Sequence, residues 1–189
     1  MNNYYSNELF EKVSFTSEQL SKTDFESCTF KNCDFSGLHI IGSEFLECEF
    51  IACNLSNTRF KGSSFKDVHC RQTKLVGVKF FEIDAFLFNM NFTGCQLNFS
   101  SFYQLSMQKF QFTECQMQEV DFTEADLQYA NFDHCDLNGA IFDTTNLQQA
   151  NFTTAENFSI DIEKNKVQGA AFSKENVVNL LEKYKIIIS

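Results

Sequence analysis

The residues of this 189-residue chain that could do chemistry are eight cysteines, three histidines and a large set of acidic side chains. Cysteine and histidine together raise metal or redox chemistry, and their spacing argues against both. There is no Cys-x-x-Cys pair, and His39, His69 and His134 fall on positions of a different kind from the cysteines. Cys28, Cys33, Cys48, Cys53, Cys95, Cys115 and Cys135 instead occupy one recurring slot, separated within each half of the chain by multiples of five. A thiol repeated in one slot behaves as a small buried apolar group. Stacked pairs such as Cys28 and Cys48 would come near enough to bridge, yet three thiols in a column cannot all pair. Reduced thiols, with no metal and no cofactor, are therefore expected. Serine and threonine are numerous, but none has a histidine and a carboxylate placed by a catalytic motif, and glycine-rich phosphate loops are absent. No enzyme is expected.

What positions these residues is a period of five. Phe92, Leu97, Phe102, Met107, Phe112, Met117, Phe122, Leu127, Phe132, Leu137, Phe142, Leu147 and Phe152 fall on every fifth position, and a matching series runs from Phe10 to Phe80. Helices repeat every 3.6 residues and flat strands every 2, so neither gives this pattern. Two residues before most centres sits a smaller one, such as Cys95, Cys115, Ala125, Ala130 or Ala150. In extended chain residues two apart face the same way, so centre and small partner both point inward and the fifth residue turns a corner. Like residues recur at 20, as with Phe92, Phe112, Phe132 and Phe152, which sets four pentads to a coil. The fold class is an all-β solenoid of square section, its coils stacked as parallel strands. The absence of proline suits a ladder in which every N–H is needed.

Residues 1–172 are read as this solenoid, with residues 1–9 capping the first coil through Tyr4, Tyr5 and Leu9. The frame slips by two residues within 81–91, where Leu87 fits the later frame; a bulged corner is expected, because Ile83, Phe86 and Phe88 are too apolar for a solvated tip. After Phe152 the pattern loosens and Ile162, Val167 and Phe172 restore it. Residues 173–189 form a tail, a short helix capped by Ser173 and then a short strand. Its apolar residues Val177, Leu180, Leu181, Tyr184, Ile186, Ile187 and Ile188 either cap the last coil or make a two-fold dimer interface. No signal peptide or membrane span is visible, so a cytoplasmic protein without membrane contact is expected.

The net charge of −10 is banded. Residues 59–79 carry Arg59, Lys61, Lys66, Arg71, Lys74 and Lys79 against Asp67 alone. Residues 109–150 carry Glu114, Glu119, Asp121, Glu124, Asp126, Asp133, Asp136 and Asp143 against Lys109, all in outward slots. One reading is plain solubility. The other is a rod imitating the phosphates of duplex DNA inside a basic groove, with these eight carboxylates as the partner-binding surface. Direct nucleic-acid binding is disfavoured, since most of the surface repels phosphate. Ile41, Leu46, Ile51 and Val76 point outward but are spread over different faces.

Units such as Cys-Asp-Phe-Ser-Gly (33–37), Ala-Asp-Leu-Gln-Tyr (125–129), Ala-Asn-Phe-Asp-His (130–134) and Cys-Asp-Leu-Asn-Gly (135–139) resemble those of pentapeptide-repeat proteins over about residues 10–172. That resemblance implies a right-handed quadrilateral β-helix. Residues 29–37, followed by Gly-Ser-Glu-Phe (42–45), and the tail at 179–189 are similar to the quinolone-resistance (Qnr-type) members. The narrower likeness implies a rod-shaped homodimer joined through its tail that imitates DNA and engages a type II topoisomerase, DNA gyrase or topoisomerase IV. Qnr-type proteins commonly carry loops between coils, whereas the two-residue slip is the largest insertion here. A protein-binding scaffold rod with no topoisomerase partner is the alternative.

Overall fold

The computed structural model describes residues 3–187, with the backbone alone for Glu182. The bulky centres point inward and stack from coil to coil along four sides of a square solenoid. Phe92, Phe112, Phe132 and Phe152 lie ring on ring at 5.3, 5.2 and 4.8 Å. Neighbouring sides meet edge to face, as Phe102 meets Phe112 at 6.2 Å and 73°. Both are favoured aromatic geometries, so a single packing rule serves the length of the core. All eight cysteines are buried and free, and the three histidines are exposed.

Backbone pairing follows the stacks. On the first side, strands Leu9–Glu11, Thr29–Lys31, Glu49–Ile51, Val68–Arg71, Met90–Thr93, Gln111–Thr113 and Asn131–Asp133 make one parallel sheet. The second side is a column of single bridges running from Ser14 through Asp34, Asn54, Lys74, Gln96, Gln116 and Asp136 to Glu156. The third pairs His39–Ile41 with Arg59–Lys61 and continues as bridges from Lys79 through Ser101 and Asp121 to Ile141. The fourth pairs Asn3–Ser6, Thr23–Glu26, Glu44–Leu46 and Ser64–Lys66. Register is 20 residues throughout except across the slip, where Val68 pairs with Met90 and Cys70 with Phe92.

Most corners place a left-handed residue. Among the described residues 23 non-glycines and all seven glycines have positive φ. Two kinds of corner result. In the tight kind the N–H of the small inward residue donates to the C=O of the preceding centre, as Ala125 does to Phe122 at 3.0 Å and Ala130 to Leu127 at 3.1 Å. This closes a β-turn whose third residue has positive φ. In the wide kind that bond is missing and the buried N–H needs another acceptor. A side chain in the same slot one coil later supplies it: Cys33 N–H donates to Cys53 Sγ (3.4 Å), Cys53 N–H to Thr73 Oγ1 (3.3 Å) and Thr145 N–H to Asn165 Oδ1 (2.8 Å). The slot side chains also donate to a carbonyl of the previous coil, as Cys53 Sγ does to Phe30 O and Thr73 Oγ1 to Phe50 O. The cysteines are thus hydrogen-bonding partners of the ladder as well as filler.

The structure departs from the sequence reading at five places. Residues 3–11 are not a cover but the first coil itself: Asn3–Ser6 pairs with Thr23–Glu26, Tyr5 stacks on Phe25 at 5.5 Å, and Tyr4 and Leu9 are exposed. Thr16 and Gln19 form a capping box that starts a one-turn helix, Ser17–Leu20, on the third side. At the slip, Ile83 and Phe88 are buried while Phe86 and Leu87 are 68% and 63% exposed. Two surplus residues do not fit along one side of the square, so the segment loops out and Phe88 takes the inward place that the frame gave to Leu87. The loop is closed by Asp84 Oδ1 accepting from Phe86 N–H and by Phe65 O accepting from Asn89 N–H. Near the end, Phe158 and Ile160 fill the core and Ile162 is exposed.

The fifth departure is in the tail. Val177–Tyr184 is a 3-10 helix, whose three-residue turn puts positions three apart on one line. Leu180 accordingly packs against the core and Lys183 bonds Asp161 and Glu163, whereas Val178, Leu181 and Tyr184 present outward surface. Ser173 and Asn176 cap each other, and Asn176 Nδ2 also donates to Phe152 O and Ala155 O of the last coil. Ile186 and Ile187 lie outside any strand, and Ile188 falls beyond the described residues.

Candidate interaction surfaces

With the interior filled, chemistry is left to the outside. Among the described residues no group of three or more His, Cys, Asp or Glu is placed to hold a metal ion. The thiols sit in an apolar tube, and burial pushes Cys48 up to about 12 and Cys53 up to about 11, with Cys70 higher still. Cys48, Cys53 and Cys70 hold their protons at neutral pH.

The eight carboxylates of 109–150 circle the rod instead of lining one side. Asp133 belongs to the first side, Asp136 to the second, Asp121 and Asp143 to the third and Asp126 to the fourth, judged by the ladders and frame they follow. Glu114, Glu119 and Glu124 occupy left-handed corners and are exposed. The aspartates on the flat sides are half-buried, and three have a local task. Asp121, Asp126 and Asp136 each accept the N–H two residues on, from Thr123, Gln128 and Asn138 at 2.9, 3.2 and 3.2 Å. These Asx bonds pin the side in shape, which explains Asp or Asn before so many centres. At Asp136 partial burial pulls the pKa upward, but hydrogen bonds from Gln118, Asn157 and the Asn138 N–H outweigh it and hold the carboxyl below its usual range. The corner glutamates are the exposed carboxylates of the band, and of them Glu124 accepts from Gln104 Nε2 at 2.8 Å.

The basic band is half neutralised. Arg59 pairs with Glu82 at 2.6 Å, Lys66 with Glu44 at 2.6 Å and Arg71 with Glu49 at 2.7 Å, each bridging adjacent coils. Hydrogen bonding by the Arg59 guanidinium holds Glu82 below the usual carboxylate range. Lys61, Lys74 and Lys79 have no ion-pair partner among the described residues. Charge counted along the sequence isolates this band; alternation of sign at about one coil's spacing is the signal that it stitches coils together.

Of the tail residues singled out from the sequence, Val177, Leu181, Tyr184, Ile186 and Ile187 are exposed and Leu180 is turned inward. Lys183, with Asp161 and Glu163 as its partners, holds the tail to the coil, and Tyr184 Oη donates to Glu163 at 2.8 Å. Hydrogen bonds from Lys183 hold Asp161 and Glu163 below the usual carboxylate range. Between the tail and the second side lies an open groove of about 850 Å³, lined by Asn138, Asn157, Phe158, Val178, Leu181 and Ile186. No helix among the described residues is long and apolar enough to cross a membrane.

A family model described as a pentapeptide repeat region matches residues 23–86, and one for eight copies of the pentapeptide repeat matches residues 115–153; together they span more than half of the chain. No curated protein matches it. Among solved structures, a trypsin-treated variant of QnrB1, a plasmid-mediated fluoroquinolone resistance protein, aligns with a TM-score of 0.53 at 21% identity, over 100% of this chain and 98% of that one. Full-length QnrB1 aligns with a TM-score of 0.50 at 22% identity, over 97% of this chain and 100% of that one. The fold is shared. The chain belongs to the pentapeptide-repeat family.

Proposed function

We propose that this chain is a non-catalytic, cytoplasmic rod that binds a type II topoisomerase, DNA gyrase or topoisomerase IV, in place of duplex DNA and so modulates sensitivity to quinolones or toxins. One observation carries the reading. Residues 109–150 hold eight carboxylates against Lys109 in two coils, about 10 Å of axis at about 4.8 Å per coil. That is about one net charge per 1.4 Å, distributed around all four sides, against about one per 1.7 Å in duplex DNA. A basic groove shaped for a cylinder of that charge would accept this segment. QnrB1, whose fold this chain shares, is described as conferring fluoroquinolone resistance, which supports the choice of enzyme. Residues 173–189 then serve as cap and dimer contact, supported by outward Val177, Leu181, Tyr184, Ile186 and Ile187 on a segment fixed at both ends. A two-fold through this end would set two acidic bands near the middle of a doubled rod.

A second reading, a scaffold rod with no topoisomerase partner, is favoured by the Asx bonds of Asp121, Asp126 and Asp136, which give those acids a reason to exist without a partner. Supercoiling by purified gyrase, with and without a fluoroquinolone, separates the two. The topoisomerase reading expects inhibition of supercoiling or relief of drug-induced cleavage that rises with protein concentration and is weakened by changing Glu114, Glu119 and Glu124 to Gln. No effect at large molar excess assigns the chain to the scaffold class. For the tail, Leu181→Asp is expected to abolish pairing through this segment, leaving a monomer by light scattering in 0.5 M NaCl at low protein concentration.

A further inference from the structure

The third side of the rod is laid out differently from the other three. One column of outward residues runs His39, Arg59, Lys79, Ser101, Asp121, Ile141, and the column beside it runs Ile41, Lys61, Phe81, Tyr103, Thr123, Asp143. Its N-terminal part is cationic and its C-terminal part anionic. Between them Phe81, 43% exposed, meets Tyr103 edge to face at 6.3 Å, and Ile41 and Ile141, each 50% exposed, mark the two ends. An aromatic centre flanked by opposite charges at matching distances is complementary to its own reverse.

We infer that this side is an interaction surface for a second copy of the chain, docked antiparallel about a two-fold axis between the coils of Phe80 and Phe102. Such an axis reverses the order of coils and leaves each column facing itself. Arg59 then faces the partner's Asp121, Lys61 faces the partner's Thr123 next to the partner's Asp143, and Phe81 faces the partner's Tyr103. Parallel docking exchanges the columns at each coil, setting Arg59 against the partner's Lys61 and the cationic coils against one another, so charge selects the antiparallel arrangement. Lys61, which lacks an ion pair within the chain, comes beside the partner's Asp143, Lys79 lies opposite the partner's Ser101 and one coil from the partner's Asp121, and a central apolar contact ringed by charges is the usual anatomy of an interface. Six coils span about 24 Å, a smaller face than the ~800 Å² per partner of a standard interface needs. The association is accordingly weak, micromolar or above, and salt-sensitive.

This surface is separate from the tail, and the experiment keeps them apart by carrying Leu181→Asp in every sample, so that tail pairing does not contribute. Sedimentation equilibrium at low salt is expected to show a reversible dimer that weakens about tenfold or more in 0.5 M NaCl, as screening at that strength requires. Lys61→Glu with Lys79→Glu makes the side acidic apart from Arg59, which Glu82 already pairs, and Thr123→Lys with Asp143→Lys makes it more basic. Each double variant alone is expected to lose self-association at least tenfold, and an equimolar mixture of the two to recover it as a heterodimer. Spin labels on single introduced surface cysteines give the orientation, since the native thiols are buried. Distances between identical labels should be shortest at Tyr103 and grow toward both Ile41 and Asp143. Self-association unchanged in either double variant, a mixture that stays monomeric, or label distances that shorten steadily toward the C-terminus would overturn the proposal.

Discussion

The two halves of the rod share one core and close it differently. In residues 23–80 the inward slot is held mostly by Cys, Ser and Thr, with three-residue strands on three of the four sides. In residues 90–155 alanine enters the slots at Ala125, Ala130, Ala140, Ala150 and Ala155 beside Leu, Val and Phe, tight corners predominate, and named strands remain on the first side alone. The difference has a cause at the level of one N–H. A tight corner satisfies the slot N–H within its own turn, so a methyl group suffices there. At wide corners such as Cys33, Cys53 and Thr145 that N–H is met by the next coil, so there the slot holds an acceptor. At those corners the slot residue answers a hydrogen-bond requirement that the corner sets.

The strongest way to test that the core is common to both halves is to cut into it twice. Phe45→Ala and Phe132→Ala each remove a ring stacked on both sides, and each is expected to cost about 3–5 kcal/mol by chemical denaturation. A much smaller loss in one half would show that its interior is not packed as drawn. Next in size is Thr73→Ala, which strips the acceptor from Cys53 N–H and the donor to Phe50 O; about 1–3 kcal/mol is expected. Stability should also fall with alkaline pH. The folded thiols of Cys48 and Cys53 titrate near 12 and 11, above an unfolded thiol at about 8.5. Their contribution is therefore full below about pH 8.5 and is lost as the pH rises through that window. Denaturation midpoints at pH 7, 9 and 10.5 measure it, and Cys48→Ala should flatten the slope. The smallest effect is expected at Ser100, whose buried Oγ has no hydrogen-bond partner. Its N–H is already met by Leu97 O at 3.0 Å, so Ser100→Ala should leave stability within about 1 kcal/mol of the parent or raise it. A large loss there would break the link between corner type and slot residue.

Much of this was legible in the sequence, because a solenoid repeats one local rule and so prints it many times. The five-residue frame gave the square section, the interior and the place of every cysteine. Corner type was also written there, in whether Cys or Ala fills the slot, but it could be read only after the N–H left open by the wide turn had been found. Tyr5 already sat in frame, and treating residues 1–9 as a cover overlooked it. The places that stayed hidden are those where repetition stops. At the slip, two surplus residues can be lost in several ways, and apolarity alone did not show that Phe86 and Leu87 would be the ones expelled. In the tail, α-helical spacing put Leu180 and Leu181 on one face, whereas three residues per turn separates them. The acidic residues were assigned by charge, which could not distinguish a free corner glutamate from an aspartate tied to its own backbone.

The left-handed corners have a consequence for how such a chain can change over time. At most corners of the solenoid a side chain with a Cβ accepts a conformation that favours glycine, and the ladder on either side holds it there. Each corner thus projects a side chain into solvent from a fixed frame, and its identity hardly touches the interior. Lineages can rewrite such lettering while the tube beneath keeps its form, so descendants of one ancestral rod could diverge in what they grip long before they diverge in shape.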